Sequence, residues 1–124
     1  MKVLIVDDSK FSRKRVLSAL ADQGHEVHQA CDGAEGFKLF QQEQPDLVIS
    51  DLLMPNVDGI EQLRMIRDSG SMTPVVVVTA DIQESTQAIC REFGSVNFLN
   101  KPFKPQELLD AIEEVFDLHN KVVS

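Results

Sequence analysis

Val3-Leu4-Ile5-Val6-Asp7-Asp8, near the head of the chain, decides the reading: four consecutive apolar residues stop abruptly at two adjacent carboxylates. A strand with one wet face would alternate apolar and polar residues. An unbroken apolar run is what a strand covered on both faces requires, and such strands belong to parallel sheets. Leu47-Val48-Ile49 and Val75-Val76-Val77-Val78 repeat the design further along. Two weaker strands complete the set: Glu26–Ala30, which alternates in character after a turn at Gly24, and Val96–Leu99, which carries Phe98 and Leu99 ahead of Lys101-Pro102.

Helical spacing fills the intervals. Residues 10–22 place Val16, Leu17 and Leu20 on one face, with Gly24 suited to the left-handed position after the helix end. Residues 34–43 use Phe37 and Phe40 in the same way. The third helix has the clearest start, because Asp58 can cap free N–H groups, Glu61 follows three positions on, and Ile60, Leu63 and Ile66 then recur at helical spacing. Residues 83–93 offer Ala88, Ile89 and Phe93 before Gly94. In the last helix Pro105 suits the first turn, and Leu108, Leu109, Ile112, Val115 and Phe116 form a core-facing stripe. Five strands alternating with five helices demand right-handed crossovers, and so an α/β fold: an open, doubly wound, five-stranded parallel sheet. The flavodoxin-like strand order 2-1-3-4-5 is the expectation. A chain of 124 residues fits one domain spanning 1–124. Few residues follow the fifth helix, so no output domain is expected.

Composition narrows the function. A formal charge of −8 and a pI near 4.7 repel nucleic acid phosphates and anionic membrane surfaces, which argues against direct contact with either. No apolar stretch approaches the roughly 18 residues of a membrane span, and nothing directs export, so a cytoplasmic location is expected. Cys31 and Cys90 lack a C-x-x-C spacing and read as small packing residues in a reducing compartment. His25, His28 and His119 share no face with other ligands and read as surface residues.

The polar residues that break the apolar pattern fall where strands end. Asp7 and Asp8 follow the first strand, Asp51 the third, Thr79 the fourth and Lys101 the fifth. In an open parallel sheet all carboxyl ends lie on one edge, and ligands bind there, where the strand order reverses. Three carboxylates in one crevice repel each other unless a proton or a cation sits among them. Mg²⁺, with Mn²⁺ as a substitute, is the economical answer, since it takes one or two carboxylates, keeps waters and accepts a phosphate oxygen. Lys101 can neutralise phosphate oxygens, and the Thr79 hydroxyl can donate a further hydrogen bond. Asp51, between the aspartate pair and the Thr79/Lys101 side, is the candidate nucleophile toward phosphorus. No histidine is placed as a general base, so positioning and electrostatics would carry the chemistry.

In order along the chain, Asp7-Asp8, Asp51, Met54-Pro55-x-x-Asp58-Gly59, Thr79-Ala80 and Lys101-Pro102-Phe103 resemble the receiver domain of two-component response regulators, and the likeness spans essentially the whole chain. The resemblance implies Asp51 as phosphoacceptor, Mg²⁺ held by Asp8 and Asp51 with Asp7 acting through water, and the Leu53 backbone carbonyl as a further ligand. It implies that Lys101 contacts the phosphoryl group, that Thr79 shifts toward it, and that the Phe98 rotamer reports the shift to the surface of the fourth helix, fifth strand and fifth helix. Many receivers carry tyrosine where Phe98 stands, so a switch here works by packing alone. Leu53 and Asp81 stand where the family tunes phosphoryl lifetime, and the Lys101-Pro102 bond resembles one that is usually cis. The implied partners are a sensor histidine kinase or phosphotransfer protein and a downstream protein target, for a monomer or a phosphorylation-dependent dimer. Such a domain signals and is no turnover enzyme. Chemotaxis motor control, a phosphorelay step and regulation of another enzyme stay open.

Two other classes fit less well. A small phosphohydrolase would want the Asp-x-Asp nucleophile and acid pair, which is absent. A flavodoxin-like electron carrier would want a Ser/Thr-rich phosphate loop after the first strand and Trp or Tyr to stack on flavin, and the chain has neither aromatic.

Overall fold

Strand and helix alternate throughout the computed structural model, which describes residues 1–21, 23–54, 57–80 and 83–123. The elements are β1 (Lys2–Val6), α1 (Lys10–Leu20), β2 (Glu26–Ala30), α2 (Gly33–Glu43), β3 (Leu47–Ser50), α3 (Gly59–Asp68), β4 (Val75–Thr79), α4 (Glu84–Arg91), β5 (Val96–Asn100) and α5 (Pro105–Val123). All strand pairs are parallel, in the expected order β2-β1-β3-β4-β5. Val6 pairs with Ala30 on one side and Ser50 on the other, so β1 and β3 end side by side.

The unbroken apolar runs are explained by two cores. Val3, Ile5, Ile49, Val76 and Val78 pack with Val16, Leu20, Leu108 and Val115 on one side of the sheet. Leu4, Val6, Val48, Val75 and Val77 pack with Phe40, Leu63, Ile66 and Cys90 on the other. Successive strand residues point to opposite faces, and each face is covered by helices. Every such side chain taken fully out of water contributes about 1.5–3 kcal/mol of burial, which makes the register of the central strands costly to shift.

Helix starts follow their caps. Asp58 Oδ1 accepts the Glu61 N–H at 2.9 Å, as the Asp58/Glu61 spacing predicts, and Asp32 Oδ1 accepts the Glu35 N–H at 2.8 Å. Ser9 Oγ caps α1 by accepting from Ser12 N at 3.2 Å.

Several expectations need correction. α1 ends at Leu20 with Ala21 as its C-cap, so Gly24, at φ +74, serves the turn into β2 rather than the helix end. α4 is shorter than 83–93, with Gln83 and Glu92 as its flanking caps. Its buried residue is Cys90, whereas Ala88 is exposed and Ile89 is 46% exposed. Ala88, Ile89 and Cys90 are consecutive, each about 100° further round the helix, so they cannot share the inward face. Cys90, three residues before Phe93, takes it. Cys31 is exposed rather than packed. No described helix is long and apolar enough to cross a membrane.

Candidate functional site

Where β1 ends, the buried Asp7 side chain turns into a crevice at the carboxyl edge of the sheet, beside Asp8 and Asp51. Its Oδ1 accepts the Ser9 N–H at 2.9 Å, and its backbone carbonyl accepts Arg13 Nη1 at 2.7 Å, so the start of α1 fixes both parts of the residue. Asp51 is tied to the adjacent strand through its N–H, which donates to the Val6 carbonyl at 3.0 Å. Its Oδ1 accepts the Leu52 N–H at 2.7 Å and the Leu53 N–H at 3.4 Å. Lys101 leaves β5 beside β4, its backbone N–H donating to the Thr79 carbonyl at 3.0 Å.

These elements converge on one ammonium group. Lys101 Nζ lies 2.7 Å from Asp7 Oδ2 and 3.0 Å from Asp51 Oδ2, and it donates to Ser12 Oγ at 3.2 Å. Asp8 completes the group: carboxylate oxygens of Asp7, Asp8 and Asp51 all lie within 4.8 Å of one another. Asp7 is 5% exposed and Asp51 9%, while Asp8 faces solvent.

The titration behaviour follows from this crowding. Burial pushes the Asp7 carboxyl above its ordinary range, although hydrogen bonds from Lys101 and the Ser9 N–H pull the other way. Burial also pulls the Lys101 ammonium down, but hydrogen bonds to Asp7 and Asp51 more than offset it, and its pKa ends raised. The two directions are compatible, because one ammonium shared between two carboxylates gains from both and satisfies neither fully. Such a donor set, all carboxylate oxygen with one member open to water, suits a hard divalent ion such as Mg²⁺.

Of the residues singled out in the sequence, Asp7, Asp8, Asp51 and Lys101 meet in this crevice. Thr79, the fully buried last residue of β4, adjoins it through the Lys101 backbone. Leu53 contributes its N–H to Asp51 and exposes 64% of its surface. Phe98 is half-buried on β5, and the Arg91 guanidinium lies over its ring at 5.4 Å. The Lys101-Pro102 bond is cis. Pro55 and Asp81 lie outside the described residues.

His28 differs from the expectation that it shares no face with other possible ligands. His28 Nε2 lies 2.8 Å from Glu26 Oε2 and 3.2 Å from Glu43 Oε1, in a half-buried cluster that also holds Lys2. A shared patch therefore exists, at the opposite edge of the sheet from the aspartates. Ser12 and Arg13 were missed as site residues. The available signal was that the Ser9 cap follows the aspartates directly, which turns the first residues of α1 into the crevice.

A parallel 2-1-3-4-5 sheet with aspartates and a lysine at its carboxyl edge is the architecture of a signalling receiver in two-component systems. The chain belongs to the response regulator receiver domain family, whose model matches residues 3–113. It is 34% identical over 109 residues to the response regulator MprA of Mycobacterium avium (strain 104), covering 88% of this chain and 48% of that protein. Against the alkaline phosphatase synthesis transcriptional regulatory protein PhoP of Bacillus subtilis (strain 168), identity is 34% over 114 residues, covering 92% of this chain and 48% of that protein. The chain thus spans about half the length of these curated relatives.

Among solved structures it is similar to the Vibrio cholerae chemotaxis protein CheY4, at TM-score 0.85 and 34% identity, covering 92% of this chain and 97% of that one. It is also similar to a chain of the CheX-CheY-BeF3-Mg+2 complex of Borrelia burgdorferi, at TM-score 0.88 and 29% identity, covering 94% of this chain and 89% of that one. Receiver domains are signalling modules rather than turnover enzymes.

Proposed function

We propose that this chain accepts a phosphoryl group on Asp51, donated by the phosphohistidine of a sensor histidine kinase or phosphotransfer protein, or by a small acyl phosphate, and that it signals in the cytoplasm to a downstream protein target. The observation that carries the reading is the shared ammonium: Lys101 Nζ bridges Asp7 and Asp51, at 2.7 and 3.0 Å, in a crevice crowded with three carboxylates. A cation held there neutralises charge on transferring phosphoryl oxygens without supplying or removing a proton.

In the reaction a carboxylate oxygen of Asp51 attacks phosphorus, and the bond from phosphorus to the donor nitrogen breaks. The donor imidazole, carrying a proton on its other ring nitrogen, leaves with the electron pair and so ends as neutral histidine. Lys101 stands beside Asp51 Oδ2, where the incoming oxygens arrive, while the Leu52 N–H holds the other carboxylate oxygen. Asp7, Asp8 and Asp51, with the Leu53 carbonyl, would hold Mg²⁺. Bound there, the ion neutralises phosphoryl charge and draws the acidic site together. The fit of the aspartate cluster supports this, and the Borrelia burgdorferi neighbour carries Mg and BeF3 in its complex.

The same reading makes Thr79 and Phe98 the switch. Movement of Thr79 toward the phosphoryl group would favour another rotamer of Phe98, which shares β5 with the strand end that delivers Lys101. The surface of α4, β5 and α5 then changes shape for the partner.

Intact-mass measurement after incubation with acetyl phosphate tests the proposal. One added phosphoryl group is expected with Mg²⁺, none with EDTA and none in Asp51→Asn. Label that survives Asp51→Asn at full stoichiometry removes Asp51 from its role.

A further inference from the structure

Gln62 is a helix glutamine with only 1% of its surface exposed. Its Nε2 donates to Ser50 Oγ at 2.9 Å, and the Ser50 hydroxyl donates onward to the Asp51 backbone carbonyl at 2.8 Å. That carbonyl belongs to the peptide plane whose N–H is that of Leu52, the group donating to Asp51 Oδ1 at 2.7 Å. A peptide is planar, so holding its carbonyl sets the direction of its N–H. The polar chain therefore runs from α3, through the last residue of β3, to the carboxylate oxygen opposite the one held by Lys101.

The orientation of the Gln62 amide follows from the same contacts. Its Oε1 has no hydrogen-bond partner among the described residues and lies against α2, where a Cβ on Gly36 would come within 2.1 Å of it. Turned over, the amide would bury two unpaired donors instead of one acceptor, and its oxygen would take the Ser50 proton away from the Asp51 carbonyl. A buried amide with an orphaned oxygen is a poor choice for packing alone, since an apolar chain of equal length would leave nothing unsatisfied.

We infer that Gln62, acting through Ser50, is a positioning residue for phosphoryl acceptance: it holds the Asp51–Leu52 peptide so that the Asp51 carboxylate stays turned toward Lys101 and the other aspartates. The inference rests on Asp51 being the acceptor proposed above. Residues that support a reacting group through fixed hydrogen bonds act on rate more than on folding, because small misplacements of the reacting atoms slow the chemistry steeply.

Gln62→Met keeps the length and removes the amide, and Ser50→Ala removes the relay with the smallest change in volume. Each variant, their double variant and the wild type are compared by labelling rate at saturating acetyl phosphate and Mg²⁺, by urea midpoint, and by the Leu52 amide proton resonance. For Gln62→Met the midpoint stays the same or rises, the Leu52 proton moves upfield, and labelling slows by about fivefold or more. The double variant labels no more slowly than Ser50→Ala, because both changes break one chain. Wild-type labelling in Gln62→Met, or independent multiplying effects in the double variant, overturns the inference while leaving Asp51 in its role. A wild-type chain that takes no label on Asp51 overturns the proposed function and this inference with it.

Discussion

Gly59→Ala probes the joint between α3 and the acceptor loop. Gly59 follows the Asp58 cap directly, and its N–H donates to the Leu52 carbonyl at 2.9 Å. A Cβ at this position would lie 2.2 Å from the Asp51 carbonyl oxygen and 2.7 Å from Leu52 Cα. Ordinary contact lies near about 3.5–4.0 Å, so either α3 or the acceptor loop must retreat by about 1 Å. Both colliding atoms are backbone, and no side-chain rotation relieves them. Overpacking of this kind costs about 1–3 kcal/mol, and the strained hydrogen bond adds about 1 kcal/mol. The better helix propensity of alanine returns at most about 1 kcal/mol. A net loss of about 1–3 kcal/mol, out of a total of about 5–15, lowers the melting temperature by on the order of 10 °C. Gly24→Ala is the control. Its Cβ would meet nothing within 4 Å, but its φ of +74 imposes left-handed strain of about 1–2 kcal/mol. Calorimetry should find both variants destabilised to a similar degree, yet only Gly59→Ala should label more slowly with acetyl phosphate at 25 °C, where both are folded. Equal slowing in Gly24→Ala would mean that labelling follows global stability, and the argument from the acceptor loop would fail.

Lys101→Met leaves Asp7 and Asp51 without their shared cation. With its side chain 20% exposed, the loss should be about 1–3 kcal/mol in EDTA, below the cost of breaking a fully buried pair, and an unchanged urea midpoint would refute it. Mg²⁺ at about 100 times its dissociation constant should stabilise the wild type by about 2.7 kcal/mol, and titration calorimetry should find weaker binding in Asp8→Asn. For Asp7 the sign runs toward acid: its carboxyl is raised in the folded chain above the ordinary 3.8, so the native state keeps a proton that the unfolded chain releases. In EDTA the extra stability of Asp7→Asn over wild type should therefore be largest at neutral pH and fade as pH falls through the raised native value. A gap that widens on acidification would contradict the burial argument.

The sequence made the sheet legible because β1, β3 and β4 carry unbroken apolar runs, Val3–Val6, Leu47–Ile49 and Val75–Val78, a pattern that few other environments produce. It made the crevice legible because the first polar residues after those strands must share one edge. α4 was harder, since three neighbouring small or apolar residues in an eight-residue helix do not say which of them turns inward. Gln62 left a signal that its polarity concealed. Gly59, Gln62, Leu63 and Ile66, the buried residues of α3, stand at i, i+3, i+4 and i+7, the spacing of a core-facing stripe. A glutamine on that stripe reads as an interruption until α2 is seen to approach it at Gly36, and that approach is a tertiary fact. The Lys101 bridge was legible as a meeting of residues, though not as a shared bond, because sequence order carries no information on which oxygen each carboxylate offers.

Charge at the crevice has a consequence for signalling. Three carboxylates and one ammonium leave it with excess negative charge, which a divalent ion would balance. On the proposed reading, a phosphoryl group on Asp51 would add charge on the side where Lys101 already sits, and the ammonium would be drawn from Asp7 toward the new oxygens. Lys101 would not follow freely, because its backbone N–H is bonded to the Thr79 carbonyl at 3.0 Å. Any displacement of its side chain therefore loads the ends of β4 and β5 together, and Phe98 lies on β5 two residues before the strand ends. On the proposed reading, the electrostatic event and the change in packing at Phe98 are coupled through the backbone at Thr79 and Lys101. On the same reading Asp7, released from its ammonium in a buried setting, would keep the Ser9 N–H as its side-chain hydrogen bond among the described residues, so the phosphorylated form would be the one most dependent on Mg²⁺.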